Sequence, residues 1–238
     1  MVDKNVIDWL LEEDNPSVRY FTLKDLLDRD ENDSELLKAK LSIPNSKVIT
    51  KIFSKQYPKG YWEDTNSPYL PKYKASYWTI MTLGILGIDK SDERIKKTCE
   101  YIFQFQHEEG GFTSHTTKTA RQEYIWHLKK GKELPPFKIW SEQKIHDDQL
   151  SCLTGNMIAA LIRLGYLNDP RVKKALNWLI QVQNQDGGWL CPYWSAHIND
   201  THGCFYGSIC PLEAFSEIPI GCLTKEMKEA VRRGAEFI

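Results

Sequence analysis

Two short segments carry an acid, a thiol and a glycine at one spacing: DQLSCLTG, residues 148–155, and DTHGCFYG, residues 200–207. Each reads D-x3-C-x2-G, with Asp148 and Cys152 in the first and Asp200 and Cys204 in the second. Between them LCPYWSAHIND adds Cys191 and His197, and His202 and His146 lie close in sequence. Thiolates, imidazoles and carboxylates are the ligand types of a zinc site, and a helix N-terminus favours the thiolate form. Cys152, Cys191, Cys204, His197 and His202 are therefore candidate metal ligands. The segment has no C-x2-C pair and matches no standard finger. Cysteines at helix starts also fill small buried spaces, and that plainer reading stands beside the metal site. IHDDQ offers a second chemistry. Asp147 and Asp148 are adjacent carboxylates that, with Asp200, are candidate general acids, or else favourable charges just before a helix.

The third resource is aromatic. Eight Trp, eleven Tyr and nine Phe are a rich supply for 238 residues. Aromatic faces stabilise cations and line apolar pockets. Tyr77, Trp78, Tyr193, Trp194, Phe205 and Tyr206 are the candidates for lining a ligand cavity, with core packing as the alternative.

A repeat positions these residues. QYPKGYW (residues 56–62), QHEEGGF (106–112) and QNQDGGW (183–189) share the form Q-x3-G-x-W/F. Repeats decide architecture before any local reading does. The segments 77–112 and 155–189 align: an almost wholly apolar stretch, a Leu-Gly pair (Leu86-Gly87, Leu164-Gly165), a helix start, an amphipathic stretch and the Q-x3-G-x-aromatic ending. The glycines predict helix C-caps. Asp169-Pro170 and Asn15-Pro16 predict helix starts, and Ser91 is the expected cap between the first pair of helices. Ile95, Cys99, Ile102 and Val172, Leu176, Leu179 fall at i, i+4, i+7 and predict half-buried helices. Met157, Ile158, Ala160, Leu161 and Leu164 predict a helix buried on both sides. A further pair starts at Cys204. Residues 113–147 interrupt the repeats, with a helix expected over TARQEYIWHLKKG and a loop at ELPPF. Such an insertion in a repeat array often sits on the binding face.

Stacked hairpins of this kind place first helices in an inner ring and second helices in an outer one. The expectation is an all-α fold, an α/α toroid over residues 1–238 as one domain. A closed ring needs more hairpins than these, so a fragment or an open ring is expected. Hydrophobic content of 41%, charged content of 26% and a net charge of −1 suit a globular protein and give no broad field for nucleic acid. No apolar run approaches ~18 residues, so no transmembrane segment is expected. The acidic N-terminal region does not look like a signal peptide, and six cysteines without one read as reduced thiols. The expected compartment is cytoplasmic.

The Q-x3-G-x-W form after an apolar helix resembles the QW repeat of squalene and oxidosqualene cyclases. The wider layout resembles the α/α-toroid superfamily of terpenoid cyclases, protein prenyltransferase β subunits and lanthionine-forming cyclases, over about residues 44–238. The resemblance implies a structural clamp at each repeat, with Gln bonding a helix end, Gly turning the chain and the aromatic packing between outer helices. It also implies that Asp148, Cys152, Asp200 and Cys204 share one rim. Class II cyclases protonate an alkene with a D-x-D-D motif; here Ile145 stands where the first Asp would be. Prenyltransferases hold zinc with Asp-x-Cys and a distant His, whereas the spacing here is Asp-x3-Cys. The implied function is a terpenoid cyclase or prenyltransferase-like protein with a small hydrophobic, isoprenoid or polyprenyl ligand in an aromatic-lined cavity. A zinc-dependent toroid acting on a thiol or peptide, or a non-catalytic binding scaffold, remains the alternative.

Overall fold

In the computed structural model, which describes residues 3–190 and 202–238, helices follow one another without an intervening strand. They are α1 (Lys4–Leu10), α2 (Pro16–Phe21), α3 (Ser34–Ser42), α4 (Lys47–Phe53), α5 (Ser76–Ile85), α6 (Glu93–Phe103), α7 (Thr117–Lys129), α8 (Phe137–Asp147), α9 (Ser151–Arg163), α10 (Pro170–Gln181), α11 (Phe205–Ser216) and α12 (Lys225–Phe237). A π-helical turn, Thr22–Leu26, prolongs α2. No helix is long and apolar enough to cross a membrane among the described residues.

The two hydrophobic periodicities sort the helices into two rows. α9 packs between α5 and α11, which makes an inner row. α6 lies on α5, α10 on α9, and α12 on both α10 and α11, which makes an outer row. Met157, Ile158, Ala160, Leu161 and Leu164 are buried on α9, as are Ile95, Cys99 and Ile102 on α6 and Val172, Leu176 and Leu179 on α10. Inner helices approach closely: a Cβ at Gly155 would collide with the backbone of Cys210 and Pro211 in α11. α2 joins the row beside α5, where the Ser17 hydroxyl donates to the Leu86 carbonyl (2.7 Å).

The three Q-x3-G-x-aromatic turns share a contact to the next outer helix. The side-chain amide of Gln56 donates to Arg94 O and Thr98 Oγ1 on α6. Gln106 donates to Gly110 O and to Arg171 O on α10, both at 2.9 Å. Gln183 donates to Gly187 O (2.7 Å) and to Ala230 O on α12 (2.9 Å). Each Gln thus ties its own turn to the next outer helix. The glycines hold positive φ, +87° at Gly60, +122° at Gly110 and +93° at Gly187, a region where a side chain is strained. The aromatic amide is fixed by a hydroxyl on the next inner helix: Trp62 by Ser76, Phe112 by Thr154 and Trp189 by Ser208. The indoles of Trp62 and Trp189 donate back to Ile52 O and Leu179 O in the preceding outer helix.

Local readings shift in two places. Asp92, not Ser91, caps α6 through Arg94 N; both are polar residues beside the helix start, and the carboxylate reaches the orphan amide. Asp147 ends α8 and Asp148 is its C-cap, so the pair closes one helix before it precedes the next. The stretch after ELPPF, for which the sequence set no expectation, is α8, which packs on α7 as a helical hairpin.

Candidate functional site

The second repeat turn delivers a loop to the start of α9. Directly after Phe112, residues Thr113, Ser114 and His115 close around Asp148, whose side chain is buried. Five donors meet its Oδ2: Thr113 Oγ1 (3.0 Å), Ser114 N (2.7 Å), Ser114 Oγ (2.8 Å), His115 N (2.9 Å) and His115 Nδ1 (2.9 Å). The other ring nitrogen, His115 Nε2, lies 2.9 Å from Glu123 Oε2 on α7. Glu123 in turn faces Lys144 of α8 at 3.1 Å and His127 at 3.5 Å. A carboxylate–imidazole–carboxylate chain thus links the first inner-helix rim to the inserted hairpin.

Electrostatics follow the geometry. Burial pushes the Asp148 carboxyl up, but the His115 hydrogen bond and charge, with Ser114 and Thr113, more than offset it and hold it below the usual aspartate range. Burial pushes His115 down, and Asp148 and Glu123 outweigh that, raising it above an ordinary histidine. Glu123 is also lowered, burial being outweighed by Lys144 and His115. Asp148 and His115 therefore each favour the other's charged form, and the imidazole stands between two carboxylates.

Asp147 stands apart. Its side chain is 59% exposed and bonds Gln143 Nε2 (2.7 Å) and His146 Nδ1 (3.0 Å). Tyr77 and Trp78, neighbours in sequence, go opposite ways. Tyr77 is buried, its hydroxyl donating to Thr113 O (3.0 Å) and its ring edge-on to Phe105 and Phe112. Trp78 is half-buried; its indole donates to Tyr69 O (2.8 Å) and Tyr69 and Tyr73 pack on its ring. Phe205 and Tyr206 at the start of α11 are 59% and 74% exposed. Cys152 is the second residue of α9, and Cys204 is the N-cap of α11, its sulfur accepting from Gly207 N (3.0 Å). His202 is exposed, 3.6 Å from Asp186.

Asp200, Cys191, His197, Tyr193 and Trp194 lie outside the described residues. Among the described residues no three His, Cys, Asp or Glu side chains converge to hold a metal ion. His115 and Glu123 escaped the sequence reading. They sit 33 and 25 positions from Asp148, across two helices that no local spacing connects; the one usable signal was a polar T-S-H directly after a repeat turn.

Among the described residues, the face of the inner row turned away from the outer helices is uncovered and apolar at both ends. Trp78, Thr82 and Ile85 share one stripe of α5, and Phe205 and Ile209 one of α11. Cys152, Asn156 and Arg163 lie on the corresponding stripe of α9, and Arg163 is clasped by Glu213 (2.8 Å) and Glu217 (2.7 Å). Beside Ile85 a groove of about 430 Å3 opens between α2, the π turn and α5, lined by Phe21, Thr22, Asp25, Leu26, Ile85 and Leu86 among others. A larger groove, about 730 Å3, lies between the α1–α2 turn and α3 and includes none of the candidate residues.

The chain is 27% identical over 156 residues to "Lanosterol synthase erg7A" of Aspergillus fumigatus (strain ATCC MYA-4609 / CBS 101355 / FGSC A1100 / Af293). That match takes in 62% of this chain and 18% of the relative, so it spans under a fifth of that protein's length. A solved structure titled "Crystal structure of a protein from Actinoplanes" is 15% identical, with a TM-score of 0.48 over 95% of this chain and 55% of that one. The model of the prenyltransferase alpha-alpha toroid domain matches residues 16–231, nearly the whole chain, and the protein belongs to that family.

Proposed function

We propose that the protein is a terpenoid cyclase- or prenyltransferase-like toroid that binds an isoprenoid or polyprenyl chain along the uncovered face of its inner helices. The observation that carries this reading is the run of large apolar side chains left open there. Ile85 (60% exposed) and Phe205 (59%) stand on α5 and α11 with Trp78 and Tyr206 beside them. The adjoining groove is within the ~300–1,000 Å3 range of small-molecule sites. Family membership supports the reading, since the matching domain is named for prenyl transfer.

Asp148 is the proton-transfer residue of this proposal. A carboxyl whose anion is stabilised by an imidazolium and two hydroxyls is a strong acid once protonated, and the His115 imidazole beside it is the group that can supply that proton. Asp147, open to solvent, has no comparable setting.

The test is titration of tryptophan fluorescence with farnesol. Saturable quenching that Trp78→Ala weakens roughly tenfold is expected, the loss of one buried aromatic contact. Absence of saturable binding by farnesol or by longer prenyl alcohols overturns the reading. If the bound chain is converted, Asp148→Asn should abolish turnover and leave binding intact. Elemental analysis separates the alternative: about one zinc per chain, lost in Cys204→Ser, would favour a metal site built from Cys152, Cys191, Cys204 and His197 or His202.

A further inference from the structure

The groove beside Ile85 is an apolar trough with one carboxylate in its wall. It runs between α2, the π turn and α5, has a volume of about 430 Å3, and is lined by Val18, Phe21, Leu26, Ile85 and Leu86 together with Asp25. Leu26 and Ile85 are 48% and 60% exposed, so its apolar walls are open. Ile85 also belongs to the open stripe of α5 with Trp78 and Thr82, and the groove therefore continues the inner face. The π turn brings the carboxylate there. Leu27 N reaches back five residues to Thr22 O (2.9 Å), so the turn carries one residue more than an α-helical one. Such turns recur at functional sites.

Among the described residues, Asp25 has no Lys, Arg or His within ion-pair distance. Lys24, its neighbour, lies over the Tyr20 ring at 5.9 Å. Lys40 donates to Gly87 O (2.7 Å) and pairs with Asp89 (3.0 Å). The backbone dipoles add to the same sign. α5 ends at Ile85 and the π turn at Leu26, so both elements present carbonyl ends to the groove, and such ends favour positive charge. An apolar trough flanked by a carboxylate and two carbonyl ends suits an apolar chain that ends in a cation. It repels a carboxylate or phosphate end, and an alcohol end leaves its charge unanswered.

We infer that this groove is a subsite for a protonated amine carried on an apolar chain, with Asp25 facing the ammonium group and Leu26 and Ile85 flanking the chain. The inference deepens the reading above, because it rests on the open face of α5 as a ligand surface. Farnesol and farnesylamine, which share one chain, separate the two.

The experiment is calorimetric titration of the full chain with farnesylamine, farnesol and farnesoic acid, each below its aggregation concentration. The amine should bind about tenfold tighter than the alcohol, through one partly exposed ion pair and the helix ends. The acid should bind weakest, and rising salt should narrow the gap. Asp25→Asn should remove most of the amine's advantage and leave farnesol unchanged, whereas Leu26→Ser should weaken both alike. Both positions are exposed, so circular dichroism should not change. Residues 1–35 hold eleven Asp and Glu against four Lys and Arg, and Glu31→Gln, at an exposed carboxylate outside the groove, tests for a diffuse acidic field. Equal losses of amine affinity in Glu31→Gln and Asp25→Asn overturn the inference. So does an amine that binds no tighter than farnesol, or one indifferent to Asp25→Asn, while saturable farnesol binding keeps the reading of the inner face. If neither ligand binds, both fall.

Discussion

The turn at Gln183–Trp189 and the hairpin at residues 113–147 both offer glycine and tryptophan, and they use them in opposite ways. In the turn, Trp189 is wholly buried, its amide held by Ser208 and its indole by Leu179 O. In the hairpin, Trp126 is 54% exposed. Gly110 and Gly187 sit against the backbone of an outer helix, whereas Gly131 has nothing within 4 Å of where a Cβ would stand. One region spends these residues on closing the array and the other leaves them facing outward. The lesson is that residue type alone does not separate a clamp from an open surface; the contact with the next helix does.

The largest effect that sharpens this contrast is at the two tryptophans. Trp189→Ala should cost about 3–5 kcal/mol, as large aromatic deletions from a core do, read as a shift in the urea unfolding midpoint. Trp126→Ala should change stability by less than about 0.5 kcal/mol, since it is a surface substitution. Equal losses at both would erase the distinction. The glycines come next. Alanine at Gly110 would combine a φ of +122° with a Cβ 2.6 Å from Lys174 O, for roughly 2–4 kcal/mol of strain and overpacking. Alanine at Gly131 meets only its φ of +75°, for about 1 kcal/mol. Thermal unfolding of the two variants measures both, and a Gly110→Ala protein as stable as Gly131→Ala would show that the turn is not clamped to α10.

What the sequence told of the array and of the site follows the same line. Inner and outer helices were legible because burial on two sides or one leaves different periodicities, as in Met157–Leu161 against Val172, Leu176 and Leu179. Asp169-Pro170 announced α10 because both residues act locally, the carboxylate accepting from Arg171 N. α8 was not legible: KIWSEQKIHD spreads its apolar residues around the helix, and its packing partner is another inserted helix. Tyr77 and Trp78 could not be told apart, since adjacent residues on a helix point about 100° from each other and nothing local says which faces inward. The surroundings of Asp148 were out of reach because His115 and Glu123 come from a loop and a helix that only the insertion's fold returns to α9. The resemblance named the family correctly, and the contacts around Asp148 are ones that the repeat does not encode.

The smallest expected effect tests how firmly the hairpin is tied to the array. The histidine of the pair has its folded pKa raised, so its contribution is fully present below the unfolded value near 6.5 and is lost as pH rises through the folded value. The aspartate has its folded pKa lowered, so its contribution is present above about 4 and is lost as pH falls through the folded value. Between those limits Asp148 and His115 hold the 113–115 loop closed. Once pH passes the folded value the imidazole gives up its proton and the link to Glu123 weakens, while the three repeat turns, built from amides and hydroxyls, do not titrate. Amide hydrogen exchange should therefore speed up selectively in α7 and α8 on going from pH 6 to pH 9, after correction for the intrinsic rate. His115→Gln should exchange faster at pH 6 and lose the pH dependence. A uniform change across α7, α9 and α10 would mean that the hairpin is not a separable element, and that the contrast drawn between it and the repeat turns is one of position only.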